Sequence, residues 1–395
     1  MILVGVATGG HPKSEVERHL DELERLVDTA GSEVVGRDLR ARSSIDARTY
    51  VGAGAVEELA SQASALRADL VVFDDDLSPG QARNLEETLP RVADRSGIIL
   101  EIFSRHARSR EARTQVELAR YEYLLPRLTG KYKGLSRLGG GIGGRGAGEQ
   151  QLELDRRKIR HRISLLKKDL AKIETSRRVQ RRGRRGHFTV AIAGYTNAGK
   201  TTLYNRLTHA EELAADRLFA TLDARVARLP GESILLVDTV GLIRKLPAGL
   251  VASFRSTLSE IRDADLVLHA VDASSDTREE ERRVAEETFA SLSVDPARVL
   301  TVYTKTDAGK SPRGALGVSA LTGEGIGRLL SEIERRAEPD ARKVTLRIPY
   351  SRPREIARAR AGTRVLAEKE EDEALRMVVS ATDRSLRGLE QFEIS

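Results

Sequence analysis

At 395 residues the chain exceeds one compact domain of roughly 150 residues, so two or three domains are expected. Its 40% hydrophobic and 32% charged residues fit a soluble protein with real cores, and no run approaches the ~18 apolar residues of a membrane span. The absence of cysteine excludes disulfides, cysteine-ligated zinc and thiol catalysis, and a net charge of +7 points to polyanionic partners, with RNA first.

The opening MILVGVATGGHPKSE has no basic segment before its apolar stretch and is broken by Gly and Pro. It reads as a strand rather than a signal peptide, and a cytoplasmic protein is expected. Strand-like and helix-like patterns then alternate: Ile2–Ala7, helix Ser14–Ala30, strand Glu33–Leu39, helix Ala55–Leu66, strand Leu70–Phe73, helix Pro79–Thr88 and strand Ile98–Phe103. This βαβαβαβ order predicts a small, mostly parallel sheet with helices against it, an α/β domain over residues 1–108.

From Ser109 to Leu125 the positions Ala112, Val116, Ala119 and Tyr123 form a heptad-like seam. Ile159, Ile163, Leu166, Leu170 and Ile173 form another. Between them lies the glycine-rich stretch 134–149. Residues 109–185 are read as an antiparallel helical hairpin with a flexible tip, the alternative being two helices on a disordered linker. The basic residues concentrate here, with few compensating acids. Arg137, Arg145, Arg156, Arg157, Arg160, Lys167, Arg181 and Arg184 are the RNA-contact candidates, against the alternative of a solvated helix face.

A second α/β pattern covers 186–337, opening with the strand Phe188–Ala193. GYTNAGKT, Gly194 to Thr201, fits G-x-x-x-x-G-K-[ST] between that strand and the helical TLYNRLT. Backbone N–H groups of Gly194, Tyr195, Thr196, Asn197, Ala198, Gly199, Lys200, Thr201 and Thr202 are thereby placed to cradle phosphates. Lys200 would reach the β- and γ-phosphates, and the Thr201 hydroxyl would ligate Mg²⁺. Strand Ile234–Val237 ends in DTVG, where Asp238 would hold Mg²⁺ through water and the Gly241 N–H would meet the γ-phosphate. Thr221, in LFATLDA between these motifs, stands as the threonine that closes on Mg²⁺ when GTP is bound. Lys200, Thr221 and Gly241 are the catalytic candidates. Strand Val299–Tyr303 leads into TKTD, in which Asp307 would read guanine and Lys305 would lie along the base. Ser319 and Ala320 would support the O6 edge.

Two departures from the common GTPase pattern stand out. Thr304 replaces the usual Asn, shortening or losing one contact near the base. Leu242 occupies the position where many GTPases carry a water-orienting glutamine, so slow intrinsic hydrolysis is expected. Residues 338–395 read as a small α+β unit, with strands Val344–Ile348, Arg364–Glu368 and Arg376–Ser380 and a helix Arg354–Ala361.

YVGAGAVEEL, DDDLSPGQARNLE, QVELARYEYLLPRL, GGGIGGRGAGEQQLELDRR and DTVGLIRKLPAGLVASFRSTL make nearly the whole chain resemble the HflX family of ribosome-associated P-loop GTPases. Leu242 stands where that family usually has Phe. The resemblance implies a Ras-like GTPase domain and a monomer that binds the large ribosomal subunit through rRNA in its GTP state and splits stalled or idle ribosomes under stress. No membrane or DNA partner is expected. Asn197 is either a K⁺ ligand near the phosphates or a plain loop hydrogen bond. The competing function is an RNA-remodelling ATPase or helicase, although GAG at Gly52 to Gly54 is too short for a second phosphate loop. A GTPase switch for RNA modification or membrane transport is disfavoured, since no recognisable modifying domain and no membrane segment is present.

Overall fold

The structure is a computed structural model, described here outside residues 129–144, 184–186, 211–217, 220–223, 231–233, 246–254, 338–341, 382 and 395. Four parallel strands, β1 Ile2–Ala7, β2 Gly36–Ala41, β3 Val71–Phe73 and β4 Val92–Asp94, form the first sheet in the order β2-β1-β3-β4. Every residue of β1 is buried, as expected of a strand with helices on both faces. Because side chains alternate, Leu3 joins the core under α1 (Lys13–Thr29), while Ile2, Val4 and Val6 join the core under α2 (Ala53–Ala65). A third helix, α3 (Pro79–Leu85), opens with a capping box between Ser78 and Gln81.

One expectation fails here. Ile98–Phe103 is not a strand but the middle of helix α4, Arg95–His106, and the fourth strand lies just before it. Asp94 starts the helix by accepting from the Gly97 N–H at 3.0 Å. Ile98, Ile99, Leu100, Ile102 and Phe103 are all buried, and so short an apolar run does not distinguish a buried helix from a buried strand.

Helices α5, Arg110–Leu124, and α6, Arg145–Gly183, run antiparallel. Arg156 donates to the Leu128 carbonyl at one end, while Arg162 pairs with Glu117 farther down. The α5 seam does more than face α6: Ala112, Val116 and Ala119 are buried in the cluster that holds α4, and Leu166 is the buried position of the α6 seam. Residues 134–144 of the glycine-rich stretch lie outside the described residues, while 145–149, expected in the flexible tip, already belong to α6, which starts at Arg145.

The second sheet has six strands: β5 Phe188–Gly194, β6 Arg225–Arg228, β7 Ile234–Asp238, β8 Leu266–Asp272, β9 Val299–Thr304 and β10 Leu316–Gly317. Their order is β10-β9-β8-β5-β7-β6, all parallel except β6. Around it stand α7 (Lys200–Thr208), α8 (Arg255–Asp263), α9 (Arg278–Ser291) and α10 (Ile326–Ala337). The carboxyl ends of β5, β7, β8 and β9 therefore open on one crevice, where ligands of such sheets bind.

The last segment is an antiparallel sheet of order β12-β13-β11-β14, from β11 Arg342–Pro349, β12 Arg364–Glu370, β13 Ala374–Ala381 and β14 Glu393–Ile394. It shares its own core with α11, Pro353–Gly362, and α12, Asp383–Leu386. The cluster beneath α1 and α4, by contrast, continues into the second domain through Ala191 and Ala193 of β5, Leu242 after the DTVG turn and Ile261 of α8. Phe103 and Phe219 meet edge to face across this junction at 4.6 Å.

Candidate nucleotide site

Strand β5 ends at Gly194, where a Cβ would stand 2.2 Å from the Ala270 carbonyl oxygen, so only glycine lets the chain turn there. The loop continues through Asn197 (φ 61°) and Gly199 (φ 73°), both left-handed, into α7. The N-terminal N–H groups of that helix face the crevice, as an anion site requires.

Lys200 is 7% exposed and donates to the Tyr195 carbonyl at 2.6 Å. Burial lowers its pKa to about 8, against the opposing pull of the Asp238 carboxylate. Asp238, at the end of β7, is fully buried and accepts from the Thr201 hydroxyl at 2.9 Å. The DTVG turn lies directly on the loop: a Cβ on Gly241 would come within 2.8 Å of the Thr196 side chain and 3.2 Å of Lys200 Nζ. Two backbone bonds fasten the pair, from the Thr196 N–H to the Leu242 carbonyl at 2.7 Å and from the Leu242 N–H to the Gly194 carbonyl at 2.9 Å. The Leu242 side chain points into the shared core, 2% exposed.

At the far end of the crevice the buried Thr304 hydroxyl lies 2.8 Å from the Ala198 carbonyl and 3.1 Å from that of Val271. It ties the phosphate loop to β8 and β9. Lys305 pairs with Asp272 at 2.7 Å, and Ser319 donates to the Asp307 carboxylate at 2.5 Å. Ala320 follows in the same loop, and Thr202 sits in the first turn of α7. The structure thus gathers the expected residues from Gly194 to Thr202 with Asp238, Gly241, Thr304, Lys305, Asp307, Ser319 and Ala320, while Thr221 lies outside the described residues.

Sequence reading missed the side chains that join this site to the first sheet. Tyr195 Oη donates to Glu22 Oε1 at 2.7 Å and accepts from the Arg244 N–H at 3.1 Å. Arg244 Nε also reaches Glu22, at 3.0 Å, and its Nη1 reaches Glu280 at 2.6 Å. Arg95, 1% exposed, contacts Glu22 at 2.9 Å and Asp74 at 2.8 Å. Lys245 pairs with Asp74 at 2.6 Å and Asp75 at 2.5 Å. Burial works to raise the Glu22 and Asp74 carboxyls, yet Arg95 acts on both, with Arg244 beside Glu22 and Lys245 beside Asp74, and holds them below the ordinary carboxylate range. The available signals were the Arg244-Lys245 pair following DTVG and the run Asp74-Asp75-Asp76 ending a strand. Neither names its partner. A cleft of about 470 Å³ between α1 and the phosphate loop is lined by Arg18, Glu22, Arg25, Thr196, Asn197 and Lys305 among others.

The basic helix is less free of acids than its composition implied. Arg160 pairs with Glu153, Arg162 with Glu117 and Lys167 with Glu122. Arg156 is spent on the Leu128 carbonyl, while Arg157 is exposed. Arg137 and Arg184, and the side chains of Arg145 and Arg181, lie outside the described residues.

A phosphate loop on the central strand, a buried carboxylate one strand over and an aspartate-bearing loop after β9 define a P-loop GTPase. Three family models match in chain order: GTP-binding GTPase N-terminal over residues 17–104, GTP-binding GTPase Middle Region over 106–184, and 50S ribosome-binding GTPase over 189–305. The chain is 41% identical to the GTPase HflX of Caldanaerobacter subterraneus subsp. tengcongensis over 391 residues, covering 96% of this chain and 91% of that protein. It is 45% identical to the GTPase HflX of Lacrimispora saccharolytica (85% of this chain, 82% of that one) and 44% identical to that of Magnetococcus marinus (92% and 88%). The chain belongs to the HflX family of GTPases.

Proposed function

We propose that this GTPase engages the large ribosomal subunit in its GTP state and splits stalled or idle ribosomes. The carrying observation is α6, 39 residues of basic-rich helix and so about 58 Å long, packed along an α5 of only 15 residues. An arm of that length beside a nucleotide switch suits a phosphate backbone, and the match to a family model described as a 50S ribosome-binding GTPase supports rRNA as that backbone. A cytoplasmic monomer fits this reading. Among the described residues no helix is long and apolar enough to cross a membrane.

In this reading the N–H groups leading into α7 and the Lys200 ammonium bind the phosphates, and the Gly241 N–H reads the γ-phosphate. Thr201 and Asp238, already facing each other at 2.9 Å, would hold Mg²⁺ with Thr221; the ion supplies charge against the β- and γ-phosphates when bound. Asp307, oriented by Ser319, accepts from guanine. Thr304 keeps its loop tether in place of a base contact. With Leu242 buried, no side chain at that position orients water, so hydrolysis waits for the ribosome, and Asn197, within the loop, is the residue that would hold K⁺. Exchanging K⁺ for Na⁺ should slow turnover; equal rates would remove the K⁺ role.

Sedimentation with purified large subunits at moderate salt tests the main reading. With a non-hydrolysable GTP analogue the protein should pellet with the subunit, and with GDP it should not. Protein that stays in the supernatant in both states overturns the proposal.

A further inference from the structure

Where α1 and α9 meet beside the nucleotide cleft, a group of side chains stands that GTP hydrolysis does not use. Glu15 and His19 are one turn apart on α1, the spacing that brings two side chains onto one face. Glu280 arrives from α9 in the nucleotide domain. The ligand atoms of the three lie within 4.8 Å of one another. His19 Nε2 is 3.6 Å from Glu15 Oε1 and 3.5 Å from Glu280 Oε1, too long for hydrogen bonds. That nitrogen is shielded from solvent and has no hydrogen-bond partner, in a residue only 5% exposed. A buried ring nitrogen left without a bond costs roughly 1–3 kcal/mol, a cost that a bound ligand would relieve.

The spacing fits a metal. Tetrahedral ligands bound at about 2.0–2.1 Å stand about 3.3–3.4 Å apart, within a few tenths of an ångström of the two separations from His19 Nε2. The other ring nitrogen, Nδ1, lies 3.6 Å from Asp74 Oδ2, so a carboxylate stands near it as one commonly does behind a metal-bound imidazole. His11, exposed and 3.2 Å from the same Glu15 oxygen, stands at hand as a further donor.

We propose that Glu15, His19 and Glu280 bind one zinc-type divalent cation that joins α1 to the nucleotide domain. One imidazole and two carboxylates make a borderline set that suits Zn²⁺ better than Mg²⁺. Glu280 Oε1 also accepts from Arg244 Nη1 at 2.6 Å, and Arg18 lies 3.8 Å from Oε2. The cation therefore competes with Arg244 for Glu280, while Glu22 still holds Arg244. Zinc binding in this way bears on the segment that follows DTVG.

The test uses the full chain, stripped with a chelator and saturated with Mg²⁺ and GDP so that the nucleotide site is filled. Zn²⁺ is titrated against a chromogenic chelator, and Co²⁺ is read by visible absorption. One Zn²⁺ per chain is expected, with cobalt bands of tetrahedral intensity. Glu15→Gln and His19→Gln should each weaken binding at least about tenfold, while His161→Ala, on exposed α6 surface, should not. No stoichiometric binding to the wild type, or binding unchanged in Glu15→Gln, overturns the site. Glu15 is only partly buried, so that variant carries the test even if His19→Gln fails to fold.

Discussion

Lys200 shows how a single residue carries both charge and its cost. Burial brings its pKa to about 8 in the free protein, and bound phosphates favour the ammonium form. The lowered value means that the free protein sheds this proton as pH rises through 8, whereas the nucleotide complex keeps it. Nucleotide affinity should therefore fall between pH 8 and 9, by at most about tenfold per unit, with proton uptake visible by calorimetry in buffers of different ionisation enthalpy. Lys200→Ala should weaken GTP binding by about 2–3 kcal/mol, or 30- to 150-fold, in a fluorescent-nucleotide titration. Leu242 gives the opposite lesson. Installing the common glutamine should not speed intrinsic hydrolysis, because the side chain faces the shared core. Leu242→Gln should instead lower the melting temperature through about 1–3 kcal/mol of buried amide, with the single-turnover GTP rate unchanged.

Among the elements, α6 is the one whose proposed function rests on its surface while its stability does not. Several of its cations are paired with Glu117, Glu122 and Glu153, which leaves exposed positions such as Arg157 to meet a polyanion. Reversing Arg157 and Lys168 to Glu should weaken association with large subunits and flatten its salt dependence by about 0.7–0.9 per lost phosphate contact in log–log form. GTP binding should stay as in the wild type. The periodicity of α5 and α6 was legible because a helical seam needs only local spacing. That the α5 seam would serve α4 was not, since Ala112, Val116 and Ala119 suit either neighbour. For the same reason α4 was taken for a strand: its apolar run carries no period, and the Asp94 cap that makes it a helix is one residue among many acids.

For the whole molecule, the decisive feature is the charged junction around Glu22. It binds Arg95 in the first domain and Tyr195 and Arg244 in the second, so one carboxylate spans both. Removing it leaves buried cations short of a partner. Glu22→Gln should cost about 3–5 kcal/mol, seen as an earlier thermal transition that includes the nucleotide domain. Glu22 and Asp74 are both held below the ordinary carboxylate range, so the stability they contribute is complete above that range. It is lost as pH falls below the range and the two carboxyls are protonated. Acid titration of the wild type should accordingly loosen the junction, and Glu22→Gln should blunt that response.

The sequence alone carried the motifs of the phosphate loop, the DTVG turn and the TKTD loop, and the alternation of strands and helices apart from β4, because each depends on residues close together in the chain. Spacing and backbone requirements suffice there, as Gly194 shows with no room for a Cβ beneath Ala270. What only the tertiary structure decided were the long-range partnerships: Tyr195 with Glu22, Lys245 with Asp74, and Glu15 and His19 with Glu280. A charge on a helix face looks solvated until the opposing domain is in place. Burial, which turns such charges into ties or ligands, belongs to the packed fold and not to any stretch of its sequence.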